Sequence, residues 1–307
     1  MKVIDNQENL YGSVATIGSF DGIHLGHKKI FEDLRLTAYR LNLPSVIITF
    51  QQHPRFVLQP HYQFKLLTTL DEKMELISKE NIDLVQFLKF DNKMASLNAE
   101  EFVKYYLVDR LNIKALIIGF NHKFGKGRSA GYKELSQLGK KYNFEVYKTA
   151  PVLYNKEPIS SSRIRKALDN CQLQDANNML GYKYFFSGKV VEGKKLGYKI
   201  GFPTANLLID KRKQMPCSGV YAVFVKIDNS IYQGVMNYGK RPTIDNDQKL
   251  IPEIHILNFS GNLYNKRLKV SLIKFIRREQ NFSSINQLKK QIQKDILTTK
   301  KIFTKDI

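Results

Sequence analysis

The chain has 307 residues, 43% of them hydrophobic, with 19 Phe and 16 Tyr. That is enough apolar material for packed cores and more length than one domain usually takes, which excludes a globally disordered chain. Its formal charge of +21, with 24 basic against 9 acidic residues in 181–307, draws polyanions or reflects lysines scattered over solvated faces.

Cys171 and Cys217 form no C-x-x-C and join no Cys/His cluster. A disulfide framework or structural zinc is therefore not expected, and a reducing compartment fits. The opening MKVIDNQENL has no apolar secretory core and no apolar run spans a bilayer, so the expectation is a cytoplasmic protein with no membrane partner. Oligomeric state is not legible.

From 13 to 150, short apolar runs alternate with helical patterns. The predicted strands are VATIGSF (14–20), SVIITF (45–50), LVQFLKF (84–90), ALIIGF (115–120) and EVYKTA (145–150). The predicted helices cover 28–42, 70–81, 99–112 and 132–143, the third opening on a capping box of Asn98 and Glu101. Apolar strands alternating with helices predict an α/β domain built on a parallel sheet, with ligands at the carboxyl ends of the strands. After a loop, PVLYNKEP, two short helices are predicted in SSSRIRKALDN and DANNMLGY. From about 184 the pattern is short strands with Gly, Asn and Pro turns, FFSGKVVEG, GVYAVFVKID, SIYQGVMNYG, PEIHILNF and KRLKVSLIKFI, which predicts an antiparallel barrel or sandwich. Ile285, Leu288, Ile292 and Ile296 predict one amphipathic terminal helix.

SFDGIHLGH (19–27) sits where the first strand hands over to a helix. A helix start offers free N–H groups to phosphate, and Gly26 lets backbone come close. His24 and His27 can donate to phosphate oxygens as charge builds. Read plainly, they are surface or capping histidines; a metal site is weaker, since no third and fourth ligands are evident. Ile159-Ser160-Ser161-Ser162-Arg163-Ile164-Arg165 offers hydroxyls and guanidiniums at another helix start, a second phosphate cradle or a helix cap. H-x-G-H on a βα turn resembles the nucleotidyltransferase superfamily, which includes the class I aminoacyl-tRNA synthetases; their lysine-rich K-M-S-K-S loop is not found here.

G-x-F-D-G-x-H-x-G-H (18–27) with I-S-S-x-R-I-R resembles the FMN adenylyltransferase module of bacterial bifunctional riboflavin kinase/FAD synthetases. Thr49-Phe50…His53-Pro54 is similar to that family's T-F-x-P-H-P, with Gln52 for the first proline, and 119–125 to its G-x-[DN]-x-x-F-G. The resemblance implies ATP and phosphate contacts at Gly18, Phe20, Asp21, Gly22, Gly26, Ser161, Ser162 and Arg163. It also implies catalytic donors at His24, His27 and Arg165, and flavin contacts at His53 and Asn121.

Gly201-Phe202-Pro203-Thr204-Ala205-Asn206 places a hydroxyl and an amide oxygen on one turn, as hard ligands or as an ordinary turn cap. Residues 197–207, 219–222, Asn237…Arg241-Pro242-Thr243 and Glu253-x-His255 are similar, in order, to the riboflavin kinase module, whose fold is a closed six-stranded β-barrel. The resemblance implies Thr204 and Asn206 for Mg²⁺, Gly201 and Pro203 at the ATP phosphates under a loop of 188–201, and Glu253 as general base. Asn262–Asn265 departs from the family's D-L-Y-G, and Asn258 stands where Asp is common.

The expected architecture is thus a Rossmann-like nucleotidyltransferase domain over 1–182 and a six-stranded barrel with terminal helix over 183–307. The implied function is flavin cofactor biosynthesis. Riboflavin is phosphorylated to FMN with ATP and Mg²⁺, and FMN is adenylylated to FAD with release of pyrophosphate; no specific nucleic acid is expected. The alternative is a basic nucleic-acid-binding protein with a synthetase-like nucleotide domain, which the charge of 181–307 favours and the ordered motifs do not explain.

Overall fold

A computed structural model describes residues 1–4, 10–128, 130–193, 196–240 and 250–305. Two compact units emerge, Met1–Ser161 and Ser162–Ile307.

In the first unit, β1 (Lys2–Ile4), β2 (Ser13–Ile17), β3 (Ser45–Phe50), β4 (Leu84–Leu88), β5 (Ile113–Ile118) and β6 (Glu145–Lys148) form one sheet in the order β1-β4-β3-β2-β5-β6. Every pairing in it is parallel. All residues of β2 and β3 are buried, which is why these strands read as unbroken apolar runs rather than alternating ones. The connections hold α1 (Leu25–Leu41), α2 (Arg55–Leu58), α3 (Leu70–Ile77), α4 (Asn92–Ser96), α5 (Ala99–Phe102), α6 (Asp109–Leu111) and α7 (Tyr132–Tyr142). A π-helical stretch, Val103–Val108, joins α5 to α6, so the helix expected over 99–112 is present but underwound in its middle. Its Asn98–Glu101 capping box forms as predicted.

α1 buries Ile30, Phe31, Leu34 and Ala38 at helical spacing and ends at Asn42, whose left-handed φ of 51° stops it. The boundaries on either side of the turn between β2 and α1 differ from expectation. The first strand ends at Ile17 rather than Phe20, and α1 begins at Leu25 rather than 28. The cause lies in the turn: Phe20 (φ 44°), Gly22 (φ 86°) and Ile23 (φ 36°) take left-handed backbone that no strand accommodates. The loop expected at PVLYNKEP contains a small hairpin, β7 (Leu153–Tyr154) with β8 (Glu157–Pro158).

The second unit opens with α8 (Ser161–Asp169), whose first residue closes the first unit, and α9 (Leu173–Leu180). β9 (Phe185–Val191), β10 (Ala205–Leu208), β11 (Gly219–Ile227), β12 (Ser230–Lys240), β13 (Leu250–Ile256) and β14 (Arg267–Arg277) then close into a barrel, β10-β13-β12-β11-β14-β9. All of its pairings are antiparallel. One-turn α10 (Leu196–Lys199) interrupts the β9–β10 connection, and α11 (Ile285–Lys305) ends the chain. Asn177 of α9 bridges to the barrel: its amide donates to Leu272 O, and its Oδ1 accepts the Tyr184 N–H.

Two expectations for this unit need correction. Cys171 and Cys217 are joined in a disulfide across 46 residues of sequence. The fold brings them together because the Cys217 N–H donates to Leu168 O at the end of α8, and because Gln214 Nε2 donates to Asp169 Oδ1. The apolar seam of α11 starts later than predicted, since Ile285 is 57% exposed. The seam runs through Leu288, Ile292, Ile296 and Phe303, the last packing on Phe224 of β11. Within this seam Asp295 is buried against Arg277 of β14. Among the described residues no helix is long and apolar enough to cross a membrane.

Candidate active sites

β2 lies at the centre of the parallel sheet, flanked by β3 and β5, so the 18–27 turn leaves the carboxyl edge where such sheets bind ligands. Gly18 N–H makes the last ladder bond, to Ile48 O. Phe20 is buried, its ring edge-on to His27 and to Phe31. The left-handed backbone at Phe20 and Ile23 costs on the order of 1–3 kcal/mol per residue, and Ile23, fully buried, is β-branched. Something must hold such a turn, and Asp21 does. Its carboxylate accepts the N–H groups of Leu67 and Thr68 (3.1 and 3.0 Å) and the Thr68 hydroxyl, while Gly22 N–H donates to Thr68 Oγ1. Asp21 is thereby a clamp on the turn, its oxygens facing backbone donors.

His24 is the N-cap of α1, and its Nδ1 accepts the His27 backbone N–H at 3.3 Å. That bond leaves Nε2 carrying the proton of the neutral ring. The His27 ring stacks on His24 with centroids 3.6 Å apart. A Cβ at Gly26 would lie 3.2 Å from the His24 ring, so a side chain there would press on it. Burial, and then the nearby His24 and Lys73, hold His27 well below the ordinary histidine range. His27 is therefore neutral near pH 7, and its buried Nδ1 has no hydrogen-bond partner among the described residues. No acidic residue occupies the first turn of α1, so no carboxylate offsets its dipole, which favours an anion there.

His53 and Asn121 follow β3 and β5, the two neighbours of β2. His53 Nδ1 accepts the Arg55 N–H, its ring lies 4.5 Å from Phe64, and Asn121 is exposed. Within the first unit, Ser161 Oγ donates to the Asp21 carbonyl at 2.9 Å. Ser162 and Arg163 stand on the first turn of α8 and Arg165 on its second, within the second compact unit.

In the barrel, strand register builds the second site. Asn206 of β10 pairs with Glu253 of β13, and Glu253 pairs with Asn237 of β12. Directly paired residues project from the same face about 5 Å apart, so an amide, a carboxylate and a second amide form one row outside the barrel, opposite buried Ile254 and Ile256. His255, one pleat further along that face, bonds the Pro203 carbonyl through Nδ1 at 2.8 Å and fixes the turn that carries Thr204. Gly201 takes φ 87°, the left-handed conformation that glycine adopts without strain. Gly193 and Gly197 pack against this row. A Cβ at Gly193 would meet Asn206 Nδ2 at 2.2 Å, and one at Gly197 would meet Phe202 O at 2.4 Å and Thr204 Oγ1 at 3.2 Å. Beyond His255 opens a cleft of about 410 Å³ lined by Asn258, Phe259, Ile296 and Lys300.

Among the described residues no group of three or more His, Cys, Asp or Glu could hold a metal. The donors at this site are of another kind, a threonine hydroxyl, an asparagine amide and one carboxylate. Such a sparse oxygen set fits Mg²⁺ that keeps waters and shares nucleotide phosphates, rather than a metal caged by protein. Asn258 (φ 54°) and Asn265 (φ 65°), the departures from family pattern, both occupy left-handed backbone, which asparagine tolerates best after glycine. Arg241, Pro242 and Thr243 lie outside the described residues.

Sequence reasoning missed Lys73, which lies buried under the first turn. The signal was there: Lys73 sits three residues after Leu70 and three and four before Leu76 and Ile77, on the apolar face of its helix.

Two family models match the chain, FAD synthetase over residues 6–163 and riboflavin kinase over residues 180–303. Proteins named bifunctional riboflavin kinase/FMN adenylyltransferase are similar along its whole length. The one from Buchnera aphidicola subsp. Schizaphis graminum is 40% identical, covering 99% of each chain. That from Haemophilus influenzae is 40% identical over 96% of this chain and 95% of its own, and that from Escherichia coli K12 is 36% identical over 99% and 98%. A crystal structure titled a macrolide-efflux protein from Streptococcus pneumoniae superposes with a TM-score of 0.88 at 31% identity, over 97% of this chain and 98% of that one.

Proposed function

The chain belongs to the bifunctional riboflavin kinase/FMN adenylyltransferase family, and from that premise we propose how its residues divide the two reactions. Both are ATP-dependent transfers, and the product of the first, FMN, is the substrate of the second. We assign the kinase to residues 183–307 and the adenylyltransferase to 1–182, in the cytoplasm.

In the kinase, the riboflavin 5′-hydroxyl attacks the γ-phosphorus of ATP. Glu253 takes the hydroxyl proton. Thr204 and Asn206 are the residues that would hold Mg²⁺, which when bound neutralises phosphate charge. Gly201 and Pro203 line the phosphates, and Gly193 and Gly197 hold the Asn206 and Thr204 side chains beside them. The observation that carries this reading is the register that sets Asn206 and Glu253 side by side, because in-line transfer depends on positioning and charge rather than covalent chemistry.

In the adenylyltransferase, an FMN phosphate oxygen attacks the α-phosphorus of a second ATP and pyrophosphate leaves. The attacking phosphate is already ionised near neutral pH, so no base is assigned. His24, through Nε2–H, and His27 donate to phosphate oxygens as charge accumulates. The dipole at the start of α1 attracts the phosphates, Gly18, Gly22 and Gly26 let them come close to the backbone, and Ser161, Ser162, Arg163 and Arg165 receive the leaving pyrophosphate. Phe20 and Asp21 shape the turn, and His53 and Asn121 contact the flavin.

Product analysis by chromatography tests both halves. With riboflavin, ATP and Mg²⁺ the chain should yield FMN and then FAD. Glu253→Ala should lose FMN formation yet convert supplied FMN to FAD, and His27→Ala should do the reverse. Neither FMN nor FAD from the unaltered chain would sink the assignment.

A further inference from the structure

The turn that carries His24 and His27 rests on a buried ammonium. Lys73 of α3 is 6% exposed, and its Nζ donates to Ser19 O at 2.8 Å and to Phe50 O at 3.4 Å, with Thr49 Oγ1 at 3.5 Å. Ser19 follows β2 and Phe50 ends β3, two adjacent parallel strands. Their carbonyls have run past the ladder; Ser19 O also takes the Thr49 hydroxyl at 3.4 Å, and the ammonium serves both carbonyls. The segment leading into Lys73 grips the same turn a second time, through the Leu67 and Thr68 bonds to Asp21 and Gly22. A capping box of Thr69 and Glu72 fixes the start of α3 between the two grips.

Lys73 makes no ion pair within 4 Å among the described residues; Asp21 acts on it only through space. A bare ammonium held by carbonyls is costly for stability alone, since an apolar side chain of similar length fills the same space more cheaply. Its position directly under an anion-binding turn supplies the reason to keep it.

We infer that Lys73 is a positioning residue for adenylyl transfer: its buried ammonium ties the ends of β2 and β3 together beneath the turn and so sets how His24 and His27 meet the nucleotide phosphates. This rests on the assignment of FMN adenylylation to that turn. The ammonium has a second effect. The groups acting on His27 are the His24 ring from the helix cap and Lys73 from α3, with Asp21 facing Lys73. The Lys73 charge adds to burial in keeping His27 neutral, so its loss eases protonation of His27.

The test uses the full chain with Lys73→Met, which keeps the length and removes the charge, and Lys73→Arg, which keeps the charge. FAD formation from FMN and MgATP is followed between about pH 5 and about pH 9, with FMN formation from riboflavin as control. A proton NMR titration of the His27 ring supplies a readout independent of turnover. Lys73→Met should lose roughly 10–100-fold in adenylylation kcat, with a smaller change in KM for ATP, because misplacement by about 1 Å costs that much. Its acid limb and the His27 titration should both move to higher pH. Lys73→Arg should recover most of kcat and the original acid limb, and FMN formation should stay within about twofold in both. The inference is overturned if Lys73→Met adenylylates within about threefold of the unaltered chain. It is equally overturned if both variants lose activity alike with the His27 titration unmoved, which marks a packing role only. An unaltered chain that makes no FAD from FMN overturns the underlying assignment instead, whatever the variants do.

Discussion

Replacing Gly193 by alanine adds one methyl group where the structure has no room for it. The new Cβ falls 2.2 Å from Asn206 Nδ2, 2.7 Å from Cγ and 3.0 Å from Oδ1. Carbon contacts become favourable only near about 3.5 Å, so the amide or the loop must move by roughly 1 Å. Asn206 cannot yield as a whole, because β10 is paired on both sides, to Val191 and to Glu253. Gly193 is not among the positive-φ glycines, so alanine brings no backbone strain and the effect is purely steric. Either response disturbs the proposed Mg²⁺ and phosphate ligand or lifts the loop from the phosphates. A displacement of about 1 Å is worth roughly 10²-fold in rate. The assay is FMN formation from riboflavin and MgATP, with FAD formation from supplied FMN as control. The expectation is a loss of roughly 30–100-fold in the first and no more than about twofold in the second. A kinase rate within about threefold of the unaltered chain would refute the reasoning that Asn206 must stay where Gly193 leaves it.

Asp295→Ala should destabilise the barrel unit by about 3–5 kcal/mol, because it strands a charge that Arg277 now commits to it. Arg277 Nε and Nη2 both donate to that carboxylate, as does Gln291 Nε2. Calorimetry should show the loss as a drop of roughly 10 °C in melting temperature, and a change below about 1 kcal/mol would place the pair among screened surface contacts. Reducing the Cys171–Cys217 disulfide, which closes a loop of 46 residues, should remove up to about 4 kcal/mol by relaxing the unfolded chain; denaturant melts with and without a dithiol test it, and coincident melts would contradict it. His27 also makes stability depend on pH. Its folded pKa is depressed, so below the unfolded value of about 6.5 the unfolded chain binds the extra proton and stability falls with falling pH. His27→Gln should flatten the acid side of the stability–pH curve, and an unchanged slope would show that the ring titrates normally.

How much of this was legible in the sequence varies with the range of the interaction. SVIITF was readable to the residue because both faces of β3 are buried and its apolar run has no other use. Asn98 and Glu101 were readable because a capping box is closed within three residues. VATIGSF was not: it runs three residues past the strand's end at Ile17 into a turn with left-handed φ at Phe20 and Ile23, and nothing in those two residues announces such backbone. Those values persist because Asp21 meets Leu67 and Thr68 from 46 residues away. The cysteines failed as a signal for the same reason, since a pair 46 residues apart has no local spacing rule to satisfy.

The sequence by itself determined the class of each half and the chemical identity of its key groups. Periodicity, capping and turn residues act over a few positions, and hydroxyls, imidazoles and carboxylates keep their chemistry wherever they fall. Only the tertiary structure decided which groups stand together. Register, not order, set Glu253 beside Asn206. Helix packing turned Lys73 inward, and its Nζ found the two carbonyls that parallel strands leave open at their ends. Both outcomes depend on contacts between segments distant in the chain, whose energies exist only once the sheet and the barrel have formed.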